Sequence, residues 1–129
     1  MSTYTLVIHG GAGTILKKDL TDELEASYRK GLEDALNAGY ALLEKGKTAV
    51  EAVLAATISL ENNILFNAGK GSVFGKDGRQ EMDASIMDGK NLMAGAVSAV
   101  RNVRNPVELA HAIMNKSQHV MLNGNGALE

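Results

Sequence analysis

The chain has 129 residues, of which 45% are hydrophobic and 22% charged, so it is large and apolar enough to form one globular domain or part of one. A formal net charge of -2 and an aromatic content of 4% argue against nucleic-acid binding, which uses basic stripes and stacking surfaces. The absence of cysteine excludes disulfides, thiolate zinc sites and a cysteine nucleophile. Since the sequence shows neither a signal peptide nor an apolar run long enough to cross a bilayer, we expect no membrane partner and a cytoplasmic location.

The N-terminal part of the chain predicts one strand and two helices. Residues 4–8 are short, apolar and β-branched, which predicts a buried strand leading into the glycine-rich turn 9–13, His-Gly-Gly-Ala-Gly. Leucines and tyrosines recur at helical spacing over residues 21–45, and this pattern predicts an amphipathic helix. Thr48 opens a second helix through a capping box with Glu51. That helix is apolar almost all round, so we expect it to be covered on more than one side.

Residues 60–74 fit neither a regular helix nor a strand. Ile64, Leu65 and Phe66 favour burial, whereas the neighbouring asparagines and glycines favour turns and positive φ. A buried irregular loop must satisfy its own carbonyl groups. Two solutions are open: side-chain amides such as that of Asn67 donate to these carbonyls, or a cation collects them. A ring of main-chain oxygens without converging carboxylates suits a hard cation of low charge.

The C-terminal part predicts more strands and a third helix. Residues 72–75 and 80–87 predict two strands joined by a turn that contains Asp-Gly. Residues 92–100 are rich in glycine and alanine and flanked by valine, which predicts a strand packed closely under another element. Residues 105–108, Asn-Pro-Val-Glu, predict the start of a helix with Asn as its cap and Glu reaching back. Residues 120–122 then lead into a predicted turn at 123–126, Asn-Gly-Asn-Gly.

This order of elements predicts an α+β fold with a mainly antiparallel sheet and helices on one face. The strand at 92–100 shows little polar alternation, so both of its faces are predicted to be buried. No segment of the chain is an obvious cover for the second face. We find no internal repeat or linker, and we interpret residues 1–129 as a single unit.

Four segments together resemble one known family. They are residues 9–13, residues 67–74 (Asn-Ala-Gly-Lys-Gly-Ser-Val-Phe), residues 81–89 (Glu-Met-Asp-Ala-Ser-Ile-Met-Asp-Gly) and residues 117–122 (Ser-Gln-His-Val-Met-Leu). In order and spacing they resemble the α subunit of the plant-type L-asparaginases, also called isoaspartyl or β-aspartyl peptidases, which are N-terminal nucleophile hydrolases. The resemblance implies a four-layer αββα sandwich completed by a β subunit from the same precursor, in an (αβ)2 heterotetramer.

The resemblance also implies an activity. It is the hydrolysis of L-asparagine to L-aspartate and ammonia and the cleavage of β-aspartyl dipeptides, by a threonine at the N-terminus of the β subunit that autoproteolysis exposes. The threonine hydroxyl attacks while its own α-amine, with an ordinary pKa of about 7.7 to 8.0, accepts the proton. We therefore expect no catalytic residue in this chain and no organic cofactor. The variable linker that the resemblance implies after residue 126 is absent from the sequence.

Supporting residues follow from the same resemblance. Gly11 is the expected functional position of the glycine-rich turn, and Asn67 is expected to brace the nucleophile, because a side-chain amide both donates and accepts. A structural sodium ion is implied, with main-chain oxygens as ligands from Leu60, Glu61, Asn63, Phe66, Ala68 and Lys70.

Simpler interpretations of these motifs remain open. The turn at 9–13 and the loop at 60–74 are also explained by packing alone. Residues 69–72, Gly-Lys-Gly-Ser, fail as a phosphate-binding loop because Ile64 stands where Walker A needs glycine. Asp83 and Asp88 are interpreted as a hydrogen-bonded strand residue and a turn residue rather than an acid and base pair. For the whole chain, the alternatives are a stand-alone binding domain and an inactive precursor fragment.

Overall fold

The computed structural model describes residues 3–13 and 15–129. Its regular elements are α1 (Asp22–Glu44), α2 (Ala49–Glu61), β1 (Met82–Met87), β2 (Ala94–Val100), α3 (Pro106–Lys116) and β3 (Met121–Asn123). Short 3-10 turns lie before α1 (Lys17–Asp19), between α2 and β1 (Gly69–Gly71) and after β3 (Gly124–Ala127). The described residues contain no helix that is apolar over the length needed to span a bilayer.

The first two helices begin where their sequence signals indicate. The hydroxyl oxygen of Thr21 accepts from the Leu24 N–H at 3.1 Å, which satisfies one free donor of the first turn of α1. At the start of α2, the Glu51 N–H donates to the Thr48 hydroxyl at 3.2 Å, and the Thr48 N–H donates to the Glu51 carboxylate at 2.9 Å. These bonds confirm the predicted capping box.

Helices α1 and α2 pack closely because small residues line their contact. Gly39 and Ala35 of α1 are buried, as are Ala52 and Ala56 of α2. A Cβ atom at Gly39 would lie 2.7 Å from the Ala52 carbonyl oxygen, so only glycine permits this approach. Helix α2 contacts both α1 and α3, which confirms the expectation that it is covered on more than one side, although Val53 remains 39% exposed.

The sheet has the order β1-β2-β3 and is mixed rather than mainly antiparallel. β1 pairs antiparallel with β2, whereas β3 runs parallel to β2. The connection between β2 and β3 is α3, and a helical crossover of this kind is what a parallel neighbour requires. The prediction was wrong at this pair because sequence order does not reveal the direction of pairing.

Helix α3 covers one face of the sheet and closes the main core. Gly95 lies directly beneath it, where a Cβ atom would overlap the Ala110 carbonyl oxygen and lie 2.6 Å from the Met114 nitrogen. This confirms the predicted close packing of residues 92–100. The buried core consists of Met82, Ile86, Val97, Val100, Val107, Ala110, Ile113, Met114 and Ala127.

The opposite face of the sheet is open in this chain. Met87 is 56% exposed, and Asp83 and Ser85 of the same strand are exposed as well. The predicted strand at residues 4–8 does not form among the described residues, and Val7 is 81% exposed. An isolated extended segment has no neighbouring strand with which to form a ladder. On β2 the residues of this face, Ala94, Ala96 and Ser98, are half-buried, so the prediction that both faces of the strand are buried holds only for the face under α3.

Asp83 and Asp88 have structural roles, as interpreted from the sequence. The Asp83 carboxylate accepts from the Ala99 N–H at 2.8 Å, where the β1–β2 pairing is irregular and Ala99 has φ +51°. Asp88 accepts from the Lys90 N–H at 2.9 Å and so closes a turn.

The predicted strand at 72–75 is reduced to a single bridge between Phe74 and Gln80.

Candidate functional site

Phe66 anchors the loop that follows α2. Its side chain is 5% exposed and meets the Tyr28 ring edge-on, with 5.9 Å between ring centroids. Gly31 of α1 lies against the same ring, since a Cβ atom there would be 2.8 Å from it. Ile64 is 66% exposed, so its predicted burial was wrong: the tight turn directs Phe66, and not Ile64, onto α1.

The glycine-rich turn contacts this loop through the same aromatic ring. A Cβ atom at Gly10 would lie 3.1 Å from Phe66 and 2.8 Å from Leu32. Gly11 has φ +124°, a backbone conformation that favours glycine, and the space beside it is open. The structure therefore brings the two motifs together at Phe66, with Gly11 at their exposed edge.

Several main-chain carbonyls of the loop converge where Gly71 has no side chain. A Cβ atom at Gly71 would lie 2.8 Å from the Ile64 oxygen and 3.0 Å from the Asn63 oxygen, and it would overlap the Phe66 oxygen. Asn63 and Phe66 belong to the predicted sodium ligands, whereas Ile64 does not. Sequence reasoning alone has no signal for Ile64, because a main-chain oxygen is independent of residue type.

Three of the other predicted ligands accept hydrogen bonds within the described residues. The Leu60 oxygen accepts from the Asn63 N–H at 3.1 Å, and the Ala68 oxygen accepts from the Gly71 N–H at 3.0 Å. The Lys70 oxygen makes only a long contact of 3.4 Å with the Gln80 amide. A carbonyl oxygen has two lone pairs, so the Ala68 and Lys70 oxygens keep capacity for a cation, whereas the Leu60 oxygen also accepts from the Asn62 N–H. The described residues contain no cluster of three acidic, histidine or cysteine side chains suited to a metal ion.

Asn67 is exposed on the outer side of the loop. Its Oδ1 atom accepts from the Val73 N–H at 3.0 Å, which holds the side chain in one orientation. Its Nδ2 group donates to none of the described residues. The arrangement presents a fixed amide donor at the surface, next to the exposed side chains of Val73 and Phe74.

The side chain of Glu61 caps α3, a role that the sequence pattern predicted for Asn105 and Glu108. Its Oε1 atom accepts from the Val107 N–H at 3.0 Å, and its Oε2 atom accepts from the Asn105 amide at 3.1 Å. The predicted cap of α3 was wrong, because Asn105 donates instead of capping and Glu108 does not reach back. Glu61 is only 3% exposed, and this burial raises its pKa although both hydrogen bonds oppose the shift.

A cleft of about 740 Å³ opens beside the loop and carries several positive charges. Lys70, Arg79, Arg101 and Arg104 line it, and they come from three separate stretches of the chain. Arg101 forms an ion pair with the Glu81 carboxylate at 2.6 Å, and Glu81 itself does not line the cleft. The sequence showed no basic stripe, since these residues meet only in the folded chain.

The chain belongs to the asparaginase family, because residues 2–129 match the family model described as Asparaginase. Among its relatives, it is 50% identical over 122 residues to the isoaspartyl peptidase/L-asparaginase of Xenopus laevis and 44% identical over 124 residues to that of Homo sapiens. It is 42% identical over 127 residues to the isoaspartyl peptidase of Salmonella typhimurium. These matches include 95% to 98% of this chain but only 38% to 41% of the three relatives, so the chain spans about two-fifths of their length. The resemblance stated from the motifs is confirmed.

Proposed function

We propose that this chain is the α-subunit portion of an isoaspartyl peptidase and L-asparaginase. The enzyme hydrolyses L-asparagine to L-aspartate and ammonia and cleaves β-aspartyl dipeptides, with a threonine nucleophile that autoproteolysis exposes on a β subunit. The observation that carries this proposal is the identity of 42% to 50%, over nearly the whole chain, to relatives that bear these names. Family membership further supports an N-terminal nucleophile hydrolase fold, to which the described residues contribute three α-helices and a three-stranded sheet.

The first role of the chain is to support the β subunit. Large apolar side chains are exposed along the N-terminal segment, the loop and the sheet, and exposed apolar surface of this kind marks interaction sites. They are Val7, Val73, Phe74, Met87, Leu92 and Val120. A β subunit from the same precursor covers them in the proposed assembly, an (αβ)2 heterotetramer, and completes the αββα sandwich.

The second role is to hold a structural sodium ion. The ion would be held by the main-chain oxygens of the proposed set, Leu60, Glu61, Asn63, Phe66, Ala68 and Lys70. The convergence of the Asn63 and Phe66 oxygens at Gly71 supports this assignment. The described residues form no cluster of acidic, histidine or cysteine side chains, which suits a monovalent cation. When bound, the ion supplies positive charge that holds the carbonyl dipoles in place.

The third role is to brace the reacting groups. Asn67, fixed by its bond from Val73, offers its Nδ2 donor to the nucleophilic threonine of the β subunit. Gly11, with its positive φ and open surroundings, lets the β subunit or the substrate approach the backbone. Neither residue takes part in bond breaking, which the threonine and its amine perform.

The test is to express the full-length precursor and to follow both its processing and its activity. We expect a companion chain that begins with threonine, release of ammonia from L-asparagine, and cleavage of a β-aspartyl dipeptide. A precursor that is folded but neither cleaves itself nor hydrolyses either substrate would refute the proposal. A stable 129-residue monomer without a companion would instead favour a stand-alone binding domain.

A further inference from the structure

We propose that Glu61 is a positioning residue that ties the loop 62–74 to helix α3 through its side-chain carboxylate. Its main-chain oxygen is one of the proposed sodium ligands, but the inference concerns its side chain, for which the sodium set has no role. The link between the loop and α3 is inferred from contacts within this chain alone. Its consequence for the sodium ion and for catalysis rests on the proposed function.

The side chain of Glu61 holds the start of α3. This residue is the last of α2, and its carboxylate is buried where the Val107 N–H and the Asn105 amide both donate to it. The Val107 N–H is one of the first donors of α3, which have no partner within the helix. The carboxylate therefore replaces the capping side chain that α3 lacks.

The main chain of Glu61 holds the other side of the junction. The loop folds back onto it at Gly69, which has φ +50°, and a Cβ atom there would lie 2.5 Å from the Glu61 oxygen and 2.7 Å from the Glu61 Cβ atom. One residue thus contacts the loop through its backbone and α3 through its carboxylate. Since α3 packs on the sheet at Gly95, Glu61 couples the position of the loop to the core.

A second link between the loop and α3 is weaker. The Asn62 side chain accepts from Arg104 at 3.3 Å and from Asn105 at 3.4 Å, and Asn62 is exposed. Bonds of this length in contact with water contribute little. The two shorter bonds to the buried Glu61 carboxylate are therefore the main connection.

The competing explanation is that Glu61 is only a helix cap and contributes to global stability. The chain offers a matched control, because Glu51 also accepts from a backbone N–H at a helix start, that of Thr48 at 2.9 Å. Glu51 lies in the first turn of α2, at the end of that helix opposite to the loop. A change at Glu51 removes a cap of the same kind, made by a more exposed side chain, without touching residues 62–74.

The experiment compares Glu61→Met, Glu61→Gln and Glu51→Met in the full-length protein by hydrogen–deuterium exchange with mass spectrometry. Methionine keeps the side-chain volume but offers no carboxylate, so Glu61→Met should speed exchange of amides in 62–74 about tenfold or more relative to α1, equivalent to about 1.4 kcal/mol. Glu61→Gln keeps one oxygen for the Val107 N–H and should show a smaller increase. Glu51→Met should act at the first turn of α2 and leave the loop rates unchanged.

Two results would overturn the tether. One is a loop exchange rate in Glu61→Met that equals the wild-type rate after normalisation to α1. The other is a uniform increase in the exchange rate over the whole chain, as expected from a loss of global stability. These outcomes do not depend on enzymatic activity, so they decide the role of Glu61 even if the wild-type protein hydrolyses neither substrate and the proposed function fails.

A sodium titration of thermal stability tests the functional consequence. If the tether orients the Glu61 oxygen, Glu61→Met should raise the sodium concentration for half-maximal stabilisation about tenfold, whereas Glu51→Met should leave it unchanged. An equal midpoint in Glu61→Met and wild type would refute the coupling to the ion.

Discussion

Replacing Gly95 by alanine should force helix α3 away from the sheet. The new Cβ atom would overlap the Ala110 carbonyl oxygen and lie 2.6 Å from the nitrogen and 2.8 Å from the Cβ of Met114. These atoms belong to the helix backbone or are attached directly to it, so no side-chain rotation relieves the clash. Ordinary contacts between such atoms require about 3.5 Å, and α3 must therefore move by about 1 Å or more.

The cost follows from the packing of the core. Overfilling a packed interior costs about 1 to 3 kcal/mol, and a rigid backbone obstacle places Gly95→Ala at or above the upper end. The movement also pulls α3 away from β1 and β2, where the buried side chains of Val97 and Val100 pack. We therefore expect the free energy of unfolding to fall by about 3 kcal/mol.

Denaturant-induced unfolding of the full-length protein measures this loss. Gly89→Ala is the matched control, because a Cβ atom there would meet nothing within 4 Å, and it should change the free energy of unfolding by about 0.5 kcal/mol or less. Equal losses in the two variants, or a loss below about 1 kcal/mol at Gly95, would refute the close packing of α3 on β2.

Three other changes test the site. Burial raises the pKa of Glu61, so the stabilising effect of its protonated form is complete below the unfolded pKa, about 4.3, and is lost as pH rises through the folded pKa. The free energy of unfolding of wild type should therefore fall relative to that of Glu61→Gln as pH rises through the folded pKa of Glu61. A difference between the two proteins that is independent of pH would contradict this. Gly71→Ala should displace the Phe66 carbonyl and abolish stabilisation by sodium, as measured by melting temperature at increasing sodium chloride with potassium chloride as the reference; retained stabilisation would argue against the carbonyl site. Asn67→Ala should impair precursor processing or turnover far more than it lowers the melting temperature, since Asn67 is exposed and its side chain bonds, among the described residues, to Val73 of the same loop. Losses in proportion would indicate a purely structural residue.

The helices were predictable because their signals are local. Residues 21–45 predicted α1, which is observed at Asp22–Glu44, and the box formed by Thr48 and Glu51 marked the start of α2. Periodicity and capping act between residues three or four positions apart, so one sequence contains them completely. The family motifs could be recognised for a similar reason, since each is a contiguous stretch of residues.

Long-range features were not predictable in the same way. The sequence pattern suggested Asn105 as the cap of α3, but Glu61, 46 positions before Val107, provides it. Parallel pairing of β2 with β3 was also missed, because α3 decides the direction in which the chain returns to the sheet. The segment 4–8 has the composition of a strand and forms none here, since a strand needs a neighbour as well as a propensity.

Local chemistry thus determines where the helices of this protein begin, which turns need glycine and to which family the chain belongs. Only the tertiary structure decides that Phe66 joins the two glycine-rich motifs, that the Asn63, Ile64 and Phe66 carbonyls converge at Gly71, and that Glu61 caps a distant helix. The physical reason is that main-chain oxygens are the same in every residue type. Their use as ligands depends on how the backbone folds, which side-chain identity along the sequence does not specify.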